Sequence, residues 1–249
     1  MHRHKLSSGY PKRAARLATA LAGVLLLPAS WGAVSPETTR AIFNAGEQRI
    51  ALSLANSAER PALVQLWLDN GDPLSTPQSS AVPVAVLPPV FRMLPGEIRS
   101  VQMVRGASQA LPRDRESLFW LNIYQVPPMN SREQAAQHKL VVPLRVRMKL
   151  FVRPEGIAPP EDAGWQSLRF SSQKAASGES RLAVTNPTPW YITLDRISCG
   201  SLPGGDMMVA PKSTLTTAIP VSGCRDIRYR VIDDQGNKRS FSAVMAVAG

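Results

Sequence analysis

The side chains in this sequence that could do chemistry are few and poorly placed for catalysis. Only three histidines occur in 249 residues. His2 and His4 sit at the extreme N-terminus, and His138 lies in the polar stretch SREQAAQHK. A histidine triad would rest on His138 alone, and a multi-histidine metal site cannot be assembled. His138 reads as a solvated loop residue. The two cysteines, Cys199 and Cys224, are too far apart in sequence for a Cys-x-x-Cys redox pair. In an oxidising compartment such a pair reads as a structural disulfide, contributing about 3–4 kcal/mol through loop closure if the geometry permits. There is no glycine-rich phosphate loop, no zinc spacing and no nucleophile elbow. No enzyme, cofactor or metal site is expected.

The compartment follows from the first 32 residues. Arg3, Lys5, Lys12, Arg13 and Arg16 give a positive start without an acid, and Leu17 to Leu27 is an apolar run ended by Pro28. That run is short for a bilayer span, and Ser30 and Gly32 suit cleavage before Ala33, so 1–32 is expected to be a signal peptide. The alternative is an uncut signal anchor. No later stretch is apolar enough to insert in a membrane, so a secreted or periplasmic protein is expected. Removing the five basic residues lowers the net charge from +11 to +6. That basic surface favours acidic protein partners over nucleic acid, because no basic run is interleaved with aromatics.

The elements that must position any site are strands. Apolar residues make up 44% of the chain, aromatics only 6%, and there are 22 prolines, which favours short strands and turns over long helices. Ile50, Leu52 and Leu54 alternate with smaller or polar residues, as do Val64, Leu66 and Leu68, then Phe119, Leu121 and Ile123. Asn70-Gly71 and Pro95-Gly96 predict turns between strands. The stretch RPEGIAPPEDAG, which ends at Gly164, predicts a stiff boundary near 154–164, before a strand at Trp165 to Phe170. The predicted organisation is a signal peptide (1–32), an N-terminal domain (33–155) and a C-terminal domain (156–249). Each domain has the size of an immunoglobulin-like β-sandwich.

One segment fits a self-contained protein badly. In LVVPLRVRMKLFV, Leu140, Val142, Leu144, Val146, Met148 and Leu150 form an apolar row at period two, with Arg145, Arg147 and Lys149 on the other face. The run is longer than a typical strand, and Pro143 lacks a ladder donor, so part of it should lie at a sheet edge. A long apolar edge invites aggregation unless something covers it. Pattern alone leaves two readings open. The segment is either an ordinary last strand in its own core or an edge that pairs with another chain by strand addition.

At this point the sequence resembles the periplasmic pilus (fimbrial) assembly chaperones. The motifs appear in family order: TTRAIFN, LPPVFRMLPGE, LPRDRESLFWLNIYQVPP and VRMKLFVRP, then LAVTNPTPWYITL and YRVIDDQGN. The resemblance implies an all-β protein of two immunoglobulin-like sandwiches in an L or boomerang. It implies donor-strand complementation, in which the chaperone lends its edge strand to an incomplete pilin subunit before delivery to an outer-membrane usher. By motif, the donor residues would be Leu140, Val142 and Leu144, extended by Val146. The subunit's C-terminal carboxylate would be anchored by Arg40 and Lys149, and that contact would set a register in which a one-residue slip presents the wrong face. Glu116, Arg153 and Asp234 would form an interdomain charge network. As exposed pairs these would contribute about 0–1 kcal/mol, so orientation is the expected role. Trp67, Asn122 and Asn186 read as structural. Without a guest, two copies could cover the edge by dimerising. The competing reading is a secreted two-domain structural or adhesive protein with closed cores.

Overall fold

Strong β-formers alternating with polar residues, cut by proline and glycine, build seventeen strands among the described residues. The structure, a computed structural model, describes residues 33–106, 111–126, 142–174, 178–199, 202–204, 206–221 and 224–246. The predicted export segment, His138 and Leu140 lie outside these residues.

The first nine strands make two facing sheets. One holds β1 (Val34–Pro36), β3 (Arg49–Asn56), β7 (Ile98–Arg105) and β5 (Val84–Leu87), in that order. The other runs β2 (Arg40–Phe43), β9 (Leu144–Val152), β8 (Ser117–Val126), β4 (Ala62–Asp69) and β6 (Val90–Met93). Inward-facing residues such as Leu54, Leu66, Met103, Leu121 and Leu150 are fully buried between them. Each such side chain contributes about 1.5–3 kcal/mol by leaving water. All three predicted alternations lie on this core, with Ile50 at its margin.

The second sandwich packs β10 (Arg169–Lys174), β11 (Ser180–Asn186) and β15 (Ser213–Pro220) against a sheet centred on β12 (Ile192–Cys199) and β16 (Asp226–Ile232). β13 (Leu202–Gly204), β14 (Met207–Val209) and β17 (Lys238–Val244) complete that sheet. Phe170, Leu182, Leu194, Ile197 and Val231 form its core. Cys199 and Cys224 are joined as a disulfide, with Cα atoms 5.7 Å apart. Among the described residues no strand crosses between the two sandwiches, and the fold is all-β with two immunoglobulin-like units.

One construction occurs in both units. Asn56, at the end of β3, donates its amide to Arg60 O and Leu94 O and accepts from Ala58 N. Asn186, at the end of β11, donates to Trp190 O and Val209 O and accepts from Thr188 N. Each buried amide satisfies backbone groups that a chain leaving its ladder would otherwise strand without water.

Three local expectations differ from the structure. Asn70-Gly71 is a turn, with Gly71 at φ +114°, but it opens an excursion from 70 to 83 rather than a hairpin. β4 pairs instead along its two edges, with β8 on one and β6 on the other. The strand predicted from Trp165 begins at Arg169, after a short helix, α1 (Asp162–Gln166), that buries Trp165. The long apolar strand begins at Leu144, directly after Pro143.

Candidate functional site

β9 changes character along its length. On one side it pairs with β8 throughout, from Leu144↔Gln125 to Val152↔Ser117. On the other side the parallel pairing with β2 covers only Lys149–Val152. Leu144–Met148 therefore form a sheet edge whose outer backbone groups have no strand partner among the described residues. The apolar row grades along this edge. Val142 is 66% exposed ahead of the strand and Leu144 is 46% exposed at its start. Val146 packs partly on the core, and Met148 is buried in it. An apolar row emerging from a core onto an unpaired edge leaves both side chains and backbone groups open to a further strand.

The cation pair stands where the free edge ends. Arg40 and Lys149 face each other on one rung of the β2–β9 pairing. Arg40 donates Nη1–H to Ile232 O (3.1 Å), and Lys149 Nζ lies 3.5 Å from Thr193 Oγ1, so both reach groups of the second sandwich. Arg40 also lies over the Phe151 ring and Lys149 over Trp120. Neither forms an ion pair among the described residues, and the buried Arg40 Nε has no hydrogen-bond partner. Burial pushes the Lys149 pKa down, with the neighbouring Arg40 charge adding to it and Asp206 opposing. Burial likewise lowers that of Arg40, against the more distant Asp234, Asp233 and Glu116. Two under-compensated cations in a partly desolvated cleft suit an anion with two acceptor oxygens.

A charge network joins the sandwiches beside this pair. Arg153 Nε donates to Glu116 Oε1 (2.7 Å), Nη2 to Asp234 Oδ1 (2.9 Å) and Nη1 to Asn44 Oδ1 (3.1 Å). Glu116 Oε2 accepts from Tyr191 N–H (2.8 Å), and its own N–H donates to Pro189 O (2.9 Å). The expectation of exposed pairs is corrected here, because Arg153 is only 2% exposed and Glu116 3%. They are buried because the two sandwiches close over them. Burial pushes the Glu116 carboxyl above its ordinary range, against the pull of Arg153 and the Tyr191 N–H. Arg153 is held firmly cationic: its two carboxylates outweigh the desolvation that opposes them.

The turn between β16 and β17 docks on the same seam. Asp233 Oδ1 accepts from Gln235 N and Asn237 N, which folds the turn, and Oδ2 accepts from Arg239 Nε. This places Asp234 against Arg153, and brings Gly236, at φ +87°, against Thr39.

Sequence reasoning assigned Trp67 and Asn122 to structure and overlooked Asp69. All three lie on the outer face of the sheet, against Arg145 and Arg147. The available signal was parity. Period-two alternation places Trp120 and Asn122 beside the basic row of β9, and an acid ends the neighbouring strand WLD.

This fold and site define a class of protein. Residues 33–158 match the N-terminal domain of the PapD pili and flagellar-assembly chaperones, and residues 163–243 match the C-terminal domain of the PapD pili assembly chaperones. The chaperone protein FimB/FhaD of Bordetella pertussis is 31% identical over 93% of this chain and 97% of its own. A chain of the Salmonella enterica SafA pilin–SafB chaperone complex superposes with a TM-score of 0.72 at 32% identity, covering 87% of this chain and 98% of that one. The periplasmic chaperone SfaE superposes at 0.67 with 25% identity, over 86% and 100%. The chain belongs to the PapD family of pilus assembly chaperones, a family of chaperones rather than enzymes.

Proposed function

We propose that this protein is a periplasmic chaperone that caps pilin subunits by donor-strand complementation and delivers them to an outer-membrane usher. In this reading residues 1–32 are the export signal, and the working domains are 33–155 and 156–249. The edge Leu144–Met148 lends its alternate apolar side chains to the open core of a subunit, with Val142 and Leu140 extending the row. Arg40 and Lys149 hold the subunit's terminal carboxylate, and Arg153 with Glu116 and Asp234 holds the domains in place around it.

The observation that carries the reading is the junction on β9. The strand loses its β2 partner immediately beyond the rung that bears the two under-compensated cations. A chain end bound there would find an unpaired edge running directly away from it. The presence of a pilin in the SafA–SafB complex supports the same occupant.

The test is co-purification with the pilin encoded beside its gene. A one-to-one complex is expected with the wild type. Arg40→Ala and Lys149→Ala should each abolish recovery while the chaperone remains a folded monomer. A complex unaffected by both changes would sink the anchor assignment.

A further inference from the structure

The row Arg145, Arg147, Lys149 sets a physical problem for the strand that carries it. Alternate residues on a strand are about 6.6 Å apart, so three cations along the outer face of β9 repel one another. Over Leu144–Met148, which carries the two arginines, the strand is bonded on one side only, and Lys149 is the first residue paired on both. Such an edge should fray unless its outer face is held.

It is held by a polar cluster built on β4 and β8. Asp69, 2% exposed, accepts Arg147 Nη2–H (2.6 Å) and Gly71 N–H (2.7 Å) at Oδ1, and Asn122 Nδ2–H (2.7 Å) and the Ser75 hydroxyl (3.1 Å) at Oδ2. Buried Asn122 passes the contact on, accepting Arg145 Nε–H at 2.9 Å. Arg145 also donates Nη1–H to Pro73 O (2.7 Å), so the excursion after β4 grips the start of the edge. Each guanidinium lies over an indole, Arg145 over Trp67 at 4.7 Å and Arg147 over Trp120 at 4.9 Å. Trp67 is itself pinned, by Nε1–H to Ser75 Oγ at 3.2 Å. One buried carboxylate and two π faces thus absorb the repulsion of the row.

We infer that Asp69, with Asn122, Trp67 and Trp120, is a latch that holds Arg145 and Arg147 and so keeps Leu144–Met148 extended before any guest arrives. The inference rests on the reading of this edge as the donor segment. With Arg145 and Arg147 fastened to the outer face, Leu144, Val146 and Met148 face the other way by alternation. The guest then meets a finished template and does not bear the entropy of ordering it. These are positioning residues, acting through the strand they hold.

The test separates the latch from the donor reading. Hydrogen exchange across 144–148 is measured in the free protein for wild type, Asp69→Asn and the pair Arg145→Gln/Arg147→Gln, with the amides of β3 and β7 as the internal reference. The arginine variants change side chains that are 25% and 22% exposed, against 2% for Asp69, so they report even if Asp69→Asn fails to fold. The expected result is exchange about tenfold faster, confined to the edge. Association with the pilin encoded beside the gene is expected to slow by about the same factor, with dissociation little changed. Arg147→Lys, which keeps the charge but loses the planar fork, should fall between. Exchange that is unchanged, or that rises equally in β3 and β7, overturns the latch. Selectively faster exchange with unchanged pilin association upholds the latch as a strand-ordering device and overturns the donor reading.

Discussion

The charged residues of the domain seam differ in what their loss would do. Removing Arg153 leaves two carboxylates, Glu116 and Asp234, facing each other with one of them buried. Breaking a buried pair in this way costs about 3–5 kcal/mol. Glu116→Gln removes one of the buried charges and keeps an acceptor for Tyr191 N–H. Because burial raises the folded-state pKa of Glu116, its ionised form is the disfavoured one, and this contribution to stability grows as pH falls through that raised pKa. Urea unfolding at neutral pH should therefore show Arg153→Ala strongly destabilised and Glu116→Gln much less so. Equal losses in the two variants would contradict this account. The residues of this network were legible by motif, but their burial was not. Exposure depends on how two sandwiches close, and strand periodicity carries no information about that.

Elements were legible to the extent that they bury one face. The alternations at Leu52, Val64 and Leu121 mark real strands because a one-residue slip would expose each set. Periodicity overran the paired strand by the two described residues before it: Val142 continues the apolar row, but regular pairing starts only at Leu144, after Pro143. After the Pro/Gly-rich boundary the sequence predicts a strand from Trp165, while five residues form a short helix that buries that ring. The graded exposure of β9 leads to a prediction at this scale. Val146→Asp places a charge at the middle of the edge, at the margin of the N-terminal core. Subunit capture, measured by co-purification, should be lost, and thermal stability should fall modestly. Met148→Asp, four residues from Leu144 and fully within the core, should unfold the N-terminal sandwich itself.

The two sandwiches meet through keyed contacts as well as charge. A Cβ added at Gly236 would lie 2.9 Å from Thr39 Oγ1, and the backbone there has φ +87°, which L side chains adopt only at a cost. Gly236→Ala is expected to cost about 1–3 kcal/mol and to loosen the docking of the β16–β17 turn, seen as a larger radius of gyration by small-angle scattering. Adding Thr39→Ala relieves the clash but not the backbone strain, so it should restore part of the compactness. No sequence pattern announces this contact, because its two residues lie almost 200 positions apart and neither is unusual by itself. The cation pair is independent of that docking in one respect. Arg40 and Lys149 are neighbours within a single sheet, so their separation is set by strand pairing and not by the angle between the domains. The same strand then extends away from them in fixed steps of about 3.3 Å. A guest gripped there by its last residue is measured from its end, as with a ruler whose zero mark is the cation pair. The chaperone would then accept a subunit by the distance between its terminal carboxylate and its missing strand, whatever the identity of the side chains between.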